Sequence, residues 1–296
     1  LLRDADVAMY RAKEHGRNQV VRFDEAMHRQ ANERLLDAVG LRRALEHDEF
    51  RVVYQPVLDI ATGRTIGMEA LVRWEDPDRG LVAPGLFIPA AEETGLIAPI
   101  GEWVLGAALA DLHDWRTESG HTDVWVAVNI SSRQLLSPTL VDEVEHALRE
   151  SGVPATALQL EITESAVMND LDPVLDVLAR LRRLGVSLAV DDFGTGYSSL
   201  AYLKRLPVTT LKIDRAFVSG LGVAEDAFDR PIVDAILKMA QSLGLDVIAE
   251  GVETQGQLDA LGELGGLFAQ GFFWARPMRP DDAVRWLQDR AYLGKS

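Results

Sequence analysis

"FRVVYQPVLDIATGRTIGMEALVRW" (residues 50–74) decides how this chain folds. Two apolar runs rich in β-branched and aromatic residues, 50–58 and 65–74, flank the Gly-bearing stretch DIATGRT (59–65). Parallel neighbours need a crossover of roughly a dozen residues or more, which this turn cannot hold, so the two strands are expected to run antiparallel.

Beyond residue 75 the rhythm changes. Short strand-like runs, VWVAVNIS (124–131), LQLEITE (158–164), SLAVDD (187–192), TLKID (210–214), DVIAEG (246–251) and FAQGFFW (268–274), alternate with helical patterns at 100–115, 140–151, 173–184 and 231–244. The last helix is read with Pro231 at its first position and Gly244 near its end. Eight strands, mostly separated by helices, predict an α/β fold: a modified TIM (β/α)8 barrel with one antiparallel strand. Upstream, residues 4–15 read as a short amphipathic helix closed by Gly16, followed by a brief strand at 19–23. Residues 24–48 favour helix, with Leu35, Leu36, Val39, Leu41 and Leu45 as the apolar stripe.

Composition narrows the function. With 30 basic and 46 acidic residues the formal charge is −16, which opposes loose binding to duplex nucleic acid or to anionic lipid. The absence of cysteine excludes disulfide, zinc-thiolate and thiol-nucleophile chemistry and fits a reducing, cytoplasmic setting. No stretch approaches the roughly 20 apolar residues that span a bilayer, so direct membrane insertion is not expected. The chain begins with Leu1 rather than Met and is charged from residue 3. It therefore reads as a piece of a longer protein, with sensory or membrane-anchoring modules upstream.

Chemistry in such barrels sits at the C-terminal ends of the parallel strands. The polar residues ending the apolar runs are Glu69, Asn129, Glu161, the pair Asp191 and Asp192, Lys212, Glu250 and Gln270. Any one of them has an ordinary structural reading as a helix cap, a turn residue or an ion-pair partner. Together they put several carboxylates at one mouth, at a cost of several kcal/mol unless cations offset them. All the donors are oxygen, and none of the six histidines ends a strand. Mg²⁺ or Mn²⁺ is thus favoured over zinc or copper, although zinc in an Asp/Glu-rich site stays open. Adjacent aspartates suit two ions about 3.5–4 Å apart, acting on a phosphoryl group. Lys212 is then expected to hold or help deprotonate the attacking water, its ammonium lowered in pKa by the neighbouring cations. The FGTGYSSL segment (193–200) offers backbone N–H groups nearby. A glycosidase using Glu161 and Glu250 is a rival reading, but it leaves Asp191, Asp192 and Lys212 without a role; a scaffold without chemistry leaves the whole cluster unexplained.

The motifs "EALVRW" (69–74), "NIS" (129–131), "EITE" (161–164), "DDFGTGYSSL" (191–200), "LKIDRAFV" (211–218), "AEGVET" (249–254) and "QGFFWARP" (270–277) resemble, in this order, the motif set of the EAL-domain cyclic di-GMP phosphodiesterases. The resemblance runs from about Asp24 to the C-terminus. Residues 1–23 resemble the last helix and strand of a GGDEF (diguanylate cyclase) domain lacking its signature loop, which implies no cyclase activity in this chain. The implied organisation is a GGDEF remnant at 1–23, a linker helix at 24–48 and an EAL phosphodiesterase barrel at 49–296, from a GGDEF–EAL tandem parent.

The resemblance implies metal-dependent hydrolysis of cyclic di-GMP to linear 5'-pGpG, lowering a bacterial second messenger, with two divalent cations, Mg²⁺ or Mn²⁺. Glu69, Asn129, Glu161 and Asp191 would bind one metal, and Asp191 would bridge to a second that Asp192 also binds. Lys212 would contact the attacking water. Glu250 and Glu253 would support the water and second-metal network beside Gln270, and Glu164 would anchor the 191–200 loop near a homodimer contact. Arg73 would contact a substrate phosphate, and Gln55 would line the nucleotide pocket. Phe272 stands where the family often has Tyr, and GGLFAQG (265–271) lacks a frequent Cys-Asp pair; at most a change in base-pocket shape is expected. The alternative is a catalytically silent module that only senses cyclic di-GMP. Such modules usually lack a metal ligand or the loop-anchoring Glu, and here all are present.

Overall fold

The turn at 59–65 closes a hairpin in the computed structural model, which describes residues 39–117, 122–168, 171–194, 203–222 and 228–291. Strand β1 (Phe50–Asp59) and strand β2 (Thr65–Asp76) pair across it. Asp59 N–H donates to Arg64 O at 2.9 Å and Gly63 N–H to Asp59 O at 2.8 Å, with Gly63 in the left-handed region at φ +67°, where a residue without Cβ sits at least cost. The following strands are β3 (Gly80–Val82), β4 (Trp125–Ile130), β5 (Leu158–Thr163), β6 (Ser187–Phe193), β7 (Thr210–Ile213), β8 (Asp246–Ala249) and β9 (Phe268–Ala269). Parallel pairing runs β2, β4, β5, β6, β7, β8, β9, while β1 joins β9 antiparallel and closes on β2. The result is an eight-stranded barrel with one reversed strand, as expected.

The chain divides into two compact units, one of residues up to 51 with 73–97, the other of residues 52–72 with 98 onward. In the first, a helix through 39–46 buries Leu41 and Ala44, whereas Val39 is 70% exposed and leaves the apolar stripe. Its Trp74 is fully buried, donates to Glu49 at 3.0 Å and packs edge-on against Phe87. Arg43 pairs with Glu49 and Asp76 at 2.9 and 3.3 Å. This unit also holds β3 and the helix Pro84–Thr94, which starts on a proline and stops at Gly95. Residues 1–38, including the expected GGDEF remnant and most of the linker, lie outside the described residues.

The second unit is the barrel. Helices Ile97–Thr117, Leu140–Ser151, Leu171–Leu184 and Asp229–Leu243 occupy the places the sequence assigns to them. Pro231 falls third rather than first in its helix, which costs no hydrogen bond because the first-turn N–H groups have no intrahelical partner. The run 268–274 is strand only at Phe268–Ala269. Gly271 lies so close to the Val252 backbone that a Cβ would sit 2.0 Å from its carbonyl oxygen, and the chain turns there. Among the described residues no helix is long and apolar enough to cross a membrane.

One buried polar pair ties β1 to its covering helix. Tyr54 is fully buried, stacks edge-on against Trp115 at 4.7 Å and donates its hydroxyl to Asp111 at 2.5 Å. Burial raises the Asp111 pKa, and the charges of Asp114 and Asp281 add to the rise. Asp111→Ala strands the hydroxyl and is expected to cost about 1–3 kcal/mol. Asp111→Asn keeps an acceptor and removes the charge. Because the folded pKa lies above the unfolded one, the cost of ionising Asp111 is absent below the ordinary carboxylate range and complete once pH has passed the raised value. The melting advantage of Asp111→Asn over the native chain is therefore expected to grow between about pH 4 and pH 8, which calorimetry at both ends checks.

Candidate active site

Strand register assembles the site. Asn129 aligns with Glu161, Glu161 with Ala189, and Ala189 with Thr210. Stepping by two along each strand, Gln159 and Glu161, Ala189 and Asp191, and Thr210 and Lys212 share the interior face. Lys212 is fully buried there and reaches four carboxylates: Glu161 at 2.5 Å, Glu250 at 2.7 Å, Asp191 at 3.3 Å and Glu69 at 3.6 Å. Beneath them Thr210 donates to Gln159, and Gln159 lies within 3.4 Å of Glu161, a polar floor that the strand-end reading did not include.

Glu69 is held from both sides. Asn129 donates to one oxygen at 2.9 Å and Gln270 to the other at 2.6 Å. Gln270 also donates to Gln55 at 3.0 Å, and Gln55 donates to Ala275 O. Gln55, midway along β1, meets the ends of the parallel strands because that strand runs the other way. The remaining oxygen of Gln270, Oε1, is buried without a hydrogen-bond partner.

Adjacent residues of a regular strand face opposite ways, yet Asp191, Asp192 and Glu250 bring carboxylate oxygens within 4.8 Å of one another. The reason is a bulge in β6. Val190 pairs with Leu211 and Phe193 with Ile213, three steps against two. Asp192 takes up the extra residue at φ +55°, a left-handed conformation that Asp tolerates better than most side chains. Its N–H donates to Asp191 Oδ1 at 3.0 Å.

The electrostatics follow from crowding. Burial, with the charges of Glu69 and Asp191, pushes Glu161 well above the carboxylate range. Glu250 is pushed up to about 8 by burial and by the charges of Asp191 and Glu69, and Asp192 is raised by burial and by Asp191. Burial also disfavours charge on Glu69, but Lys212 and the hydrogen bonds from Gln270 and Asn129 outweigh it and lower its pKa. Without metal ions the Lys212 ammonium is held well above its ordinary value. Desolvation pulls it down, and the four carboxylates pull it up further; the lowering expected from neighbouring cations concerns the metal-loaded site.

Other sequence-assigned residues fall around this centre. Glu164 accepts from Gly194 N–H at 3.0 Å and so holds the start of the loop; positions 195–202 lie outside the described residues. Glu253 pairs with Arg215 at 3.2 Å, a residue the strand-end reading missed because it follows its strand on a four-residue helix. Both line a cavity of about 280 Å³ with Glu69, Asp191, Glu250 and Gln55. Phe272, 43% exposed, lines it too and lies under the Arg276 guanidinium at 4.5 Å. Arg73 belongs to the first unit and is half-buried there.

The donor set, carboxylates and amides with an orphaned amide oxygen beside them, fits a hard divalent cation. A family model described as EAL domain matches residues 38–277. The bifunctional diguanylate cyclase/cyclic di-GMP phosphodiesterase MucR of Pseudomonas aeruginosa is 47% identical over 278 residues, 94% of this chain and 40% of MucR. The cyclic di-GMP phosphodiesterase NbdA of the same organism is 44% identical over 278 residues, 94% of this chain and 35% of NbdA. The chain thus spans less than half the length of either relative. A solved structure of the PaMucR phosphodiesterase as a c-di-GMP complex aligns with a TM-score of 0.80 at 46% identity, covering 84% of this chain and 99% of that one.

Proposed function

The chain belongs to the EAL-domain family, and on that premise we propose that it hydrolyses one phosphodiester of cyclic di-GMP to linear 5'-pGpG. The observation that carries this reading is the convergence of Asp191, Asp192 and Glu250 above a buried lysine that contacts four carboxylates. Mg²⁺ or Mn²⁺ held by Glu69, Asn129, Glu161 and Asp191, with a second ion at Asp191 and Asp192, would polarise the phosphoryl group and lower the pKa of the attacking water.

The chain's own residues do the rest. Asn129 and Gln270 fix both oxygens of Glu69. Lys212 holds Glu161, Glu250 and Asp191 around one point and contacts the attacking water. Glu250, in contact with Lys212 at 2.7 Å, supports the attacking water and can accept the proton it gives up. The water oxygen replaces the 3' oxygen on phosphorus, one P–O bond breaks, and the 3' oxygen leaves as a hydroxyl. Arg73 and Gln55 bind substrate, and Glu253 supports the metal network. The reading extends to a cytoplasmic homodimer with GGDEF and sensory modules upstream.

Incubating the purified chain with cyclic di-GMP and Mg²⁺ or Mn²⁺, with and without EDTA, tests it by chromatography. Linear pGpG is expected with metal and absent with EDTA. Tight binding with no product in either condition would replace hydrolysis with the sensing role.

A further inference from the structure

The cavity poses a charge problem for the substrate proposed above. A cyclic dinucleotide carries two phosphodiester anions; the metal ions proposed at Glu69 and Asp191 would offset those acids and engage the phosphate being cleaved, which leaves the second anion to the rest of the lining, where Glu250 and Glu253 add further negative charge. Lys212 cannot meet the ligand's charge from the rim, being fully buried and in contact with four carboxylates. Among the described lining residues the one cation is Arg215.

Its placement is built by its neighbours. Asp214 caps the short helix Arg215–Val218 by accepting from Ala216 N–H at 2.9 Å, which fixes Arg215 three residues beyond Lys212. Gly251 sits at φ +69°, and a Cβ there would lie 2.5 Å from Arg215 Cγ. The aliphatic stem therefore runs across bare glycine backbone at the cavity wall. The guanidinium, on a side chain 63% exposed, pairs with Glu253 at 3.2 Å, itself 42% exposed. Exposed pairs of this kind are worth only about 0–1 kcal/mol, so exchanging the Glu253 carboxylate for another oxyanion is cheap.

We infer that Arg215 is a substrate-binding residue: its guanidinium leaves Glu253 for a phosphodiester oxygen of the incoming dinucleotide, and Glu253 is released toward the metal-binding carboxylates. The planar fork suits the two oxygens of a phosphodiester better than an ammonium does. This rests on the phosphodiesterase reading.

Steady-state kinetics on cyclic di-GMP with Mn²⁺, and calorimetric binding of pGpG, would be compared for the native chain, Arg215→Met, Arg215→Lys and Glu253→Gln, with melting temperatures as the folding control. Arg215→Met is expected to raise KM and the pGpG Kd about tenfold or more with kcat within about twofold, and Arg215→Lys to recover part of the loss. Glu253→Gln, which frees the guanidinium, is expected not to weaken pGpG binding. If Arg215 merely holds Glu253, Arg215→Met and Glu253→Gln lower kcat alike and leave pGpG affinity unchanged, and the inference fails. A native chain that neither binds nor cleaves the dinucleotide overturns the functional reading and this inference together. Native turnover with an unchanged KM in Arg215→Met overturns the inference alone.

Discussion

Lys212→Met is expected to lower the unfolding free energy of the metal-free chain by about 3–5 kcal/mol, the usual cost of removing one side of a buried ionic cluster. The ammonium is fully buried and lies within 3.6 Å of four carboxylates. A methionine fills the space without offsetting their charge. Those acids then keep protons or repel one another, and burial leaves Glu69 and Glu161 little solvent to offset their charge. Mn²⁺ supplies the missing positive charge, so the melting temperature of Lys212→Met is expected to rise steeply on metal addition, more than that of the native chain. Turnover is not expected to be rescued, because the group proposed to contact the attacking water is gone; a loss of about 10³-fold, or roughly 4 kcal/mol of barrier, is expected. Calorimetry with EDTA and with Mn²⁺, alongside chromatographic assay of product, separates the two effects. Equal melting temperatures for the variant and the native chain in EDTA would show that shared protons, rather than the ammonium, hold the carboxylates together.

If Glu69 is the metal ligand proposed above, Glu69→Ala is expected to reduce kcat/KM by about 10³-fold or more and Mn²⁺ affinity by at least about 100-fold, since losing a carboxylate ligand exceeds the 10–100-fold typical of supporting residues. The side chain is buried and pinned at both oxygens, by Asn129 and Gln270. Truncation removes a charge and strands two amide donors. Glu69→Gln, nearly the same size, retains one acceptor oxygen and is expected to melt closer to the native chain while losing a similar share of metal affinity. Manganese titration followed by calorimetry or electron spin resonance reads the affinity directly. Unchanged binding in both variants would remove Glu69 from the ligand set and leave it a structural acid on β2.

The barrel was legible because each parallel strand announces its own end: an apolar run stops, and the next polar residue faces the mouth. Glu69, Glu161, Asp191, Lys212 and Glu250 are found this way, and register brings them together. The reversed strand was legible from the shortness of 59–65. Gln55 was not, since its position midway along β1 reaches the site only through that reversal; like Glu164 and Glu253, it came from family resemblance. Arg215 escaped because a four-residue helix leaves no periodic stripe and its partner Glu253 lies far along the chain. The strand forecast for FFW failed at Gly271, where close contact with the Val252 backbone overrides the local preference of the aromatics. The proton affinity of Lys212 in the metal-free chain depends on how many acids surround one atom, and only the folded chain supplies that count.

The bulge in β6 also bears on how such a site is kept. Removing the codon for Asp192 would leave three residues, Val190, Asp191 and Phe193, opposite Leu211, Lys212 and Ile213, and the sheet would be mended rather than broken. The strand register therefore does not itself oppose a deletion that halves the aspartate pair. Pairing geometry is thus no barrier to passing from two aspartates to one in a single event, and the extra residue answers to the chemistry of the pair rather than to the continuity of the sheet.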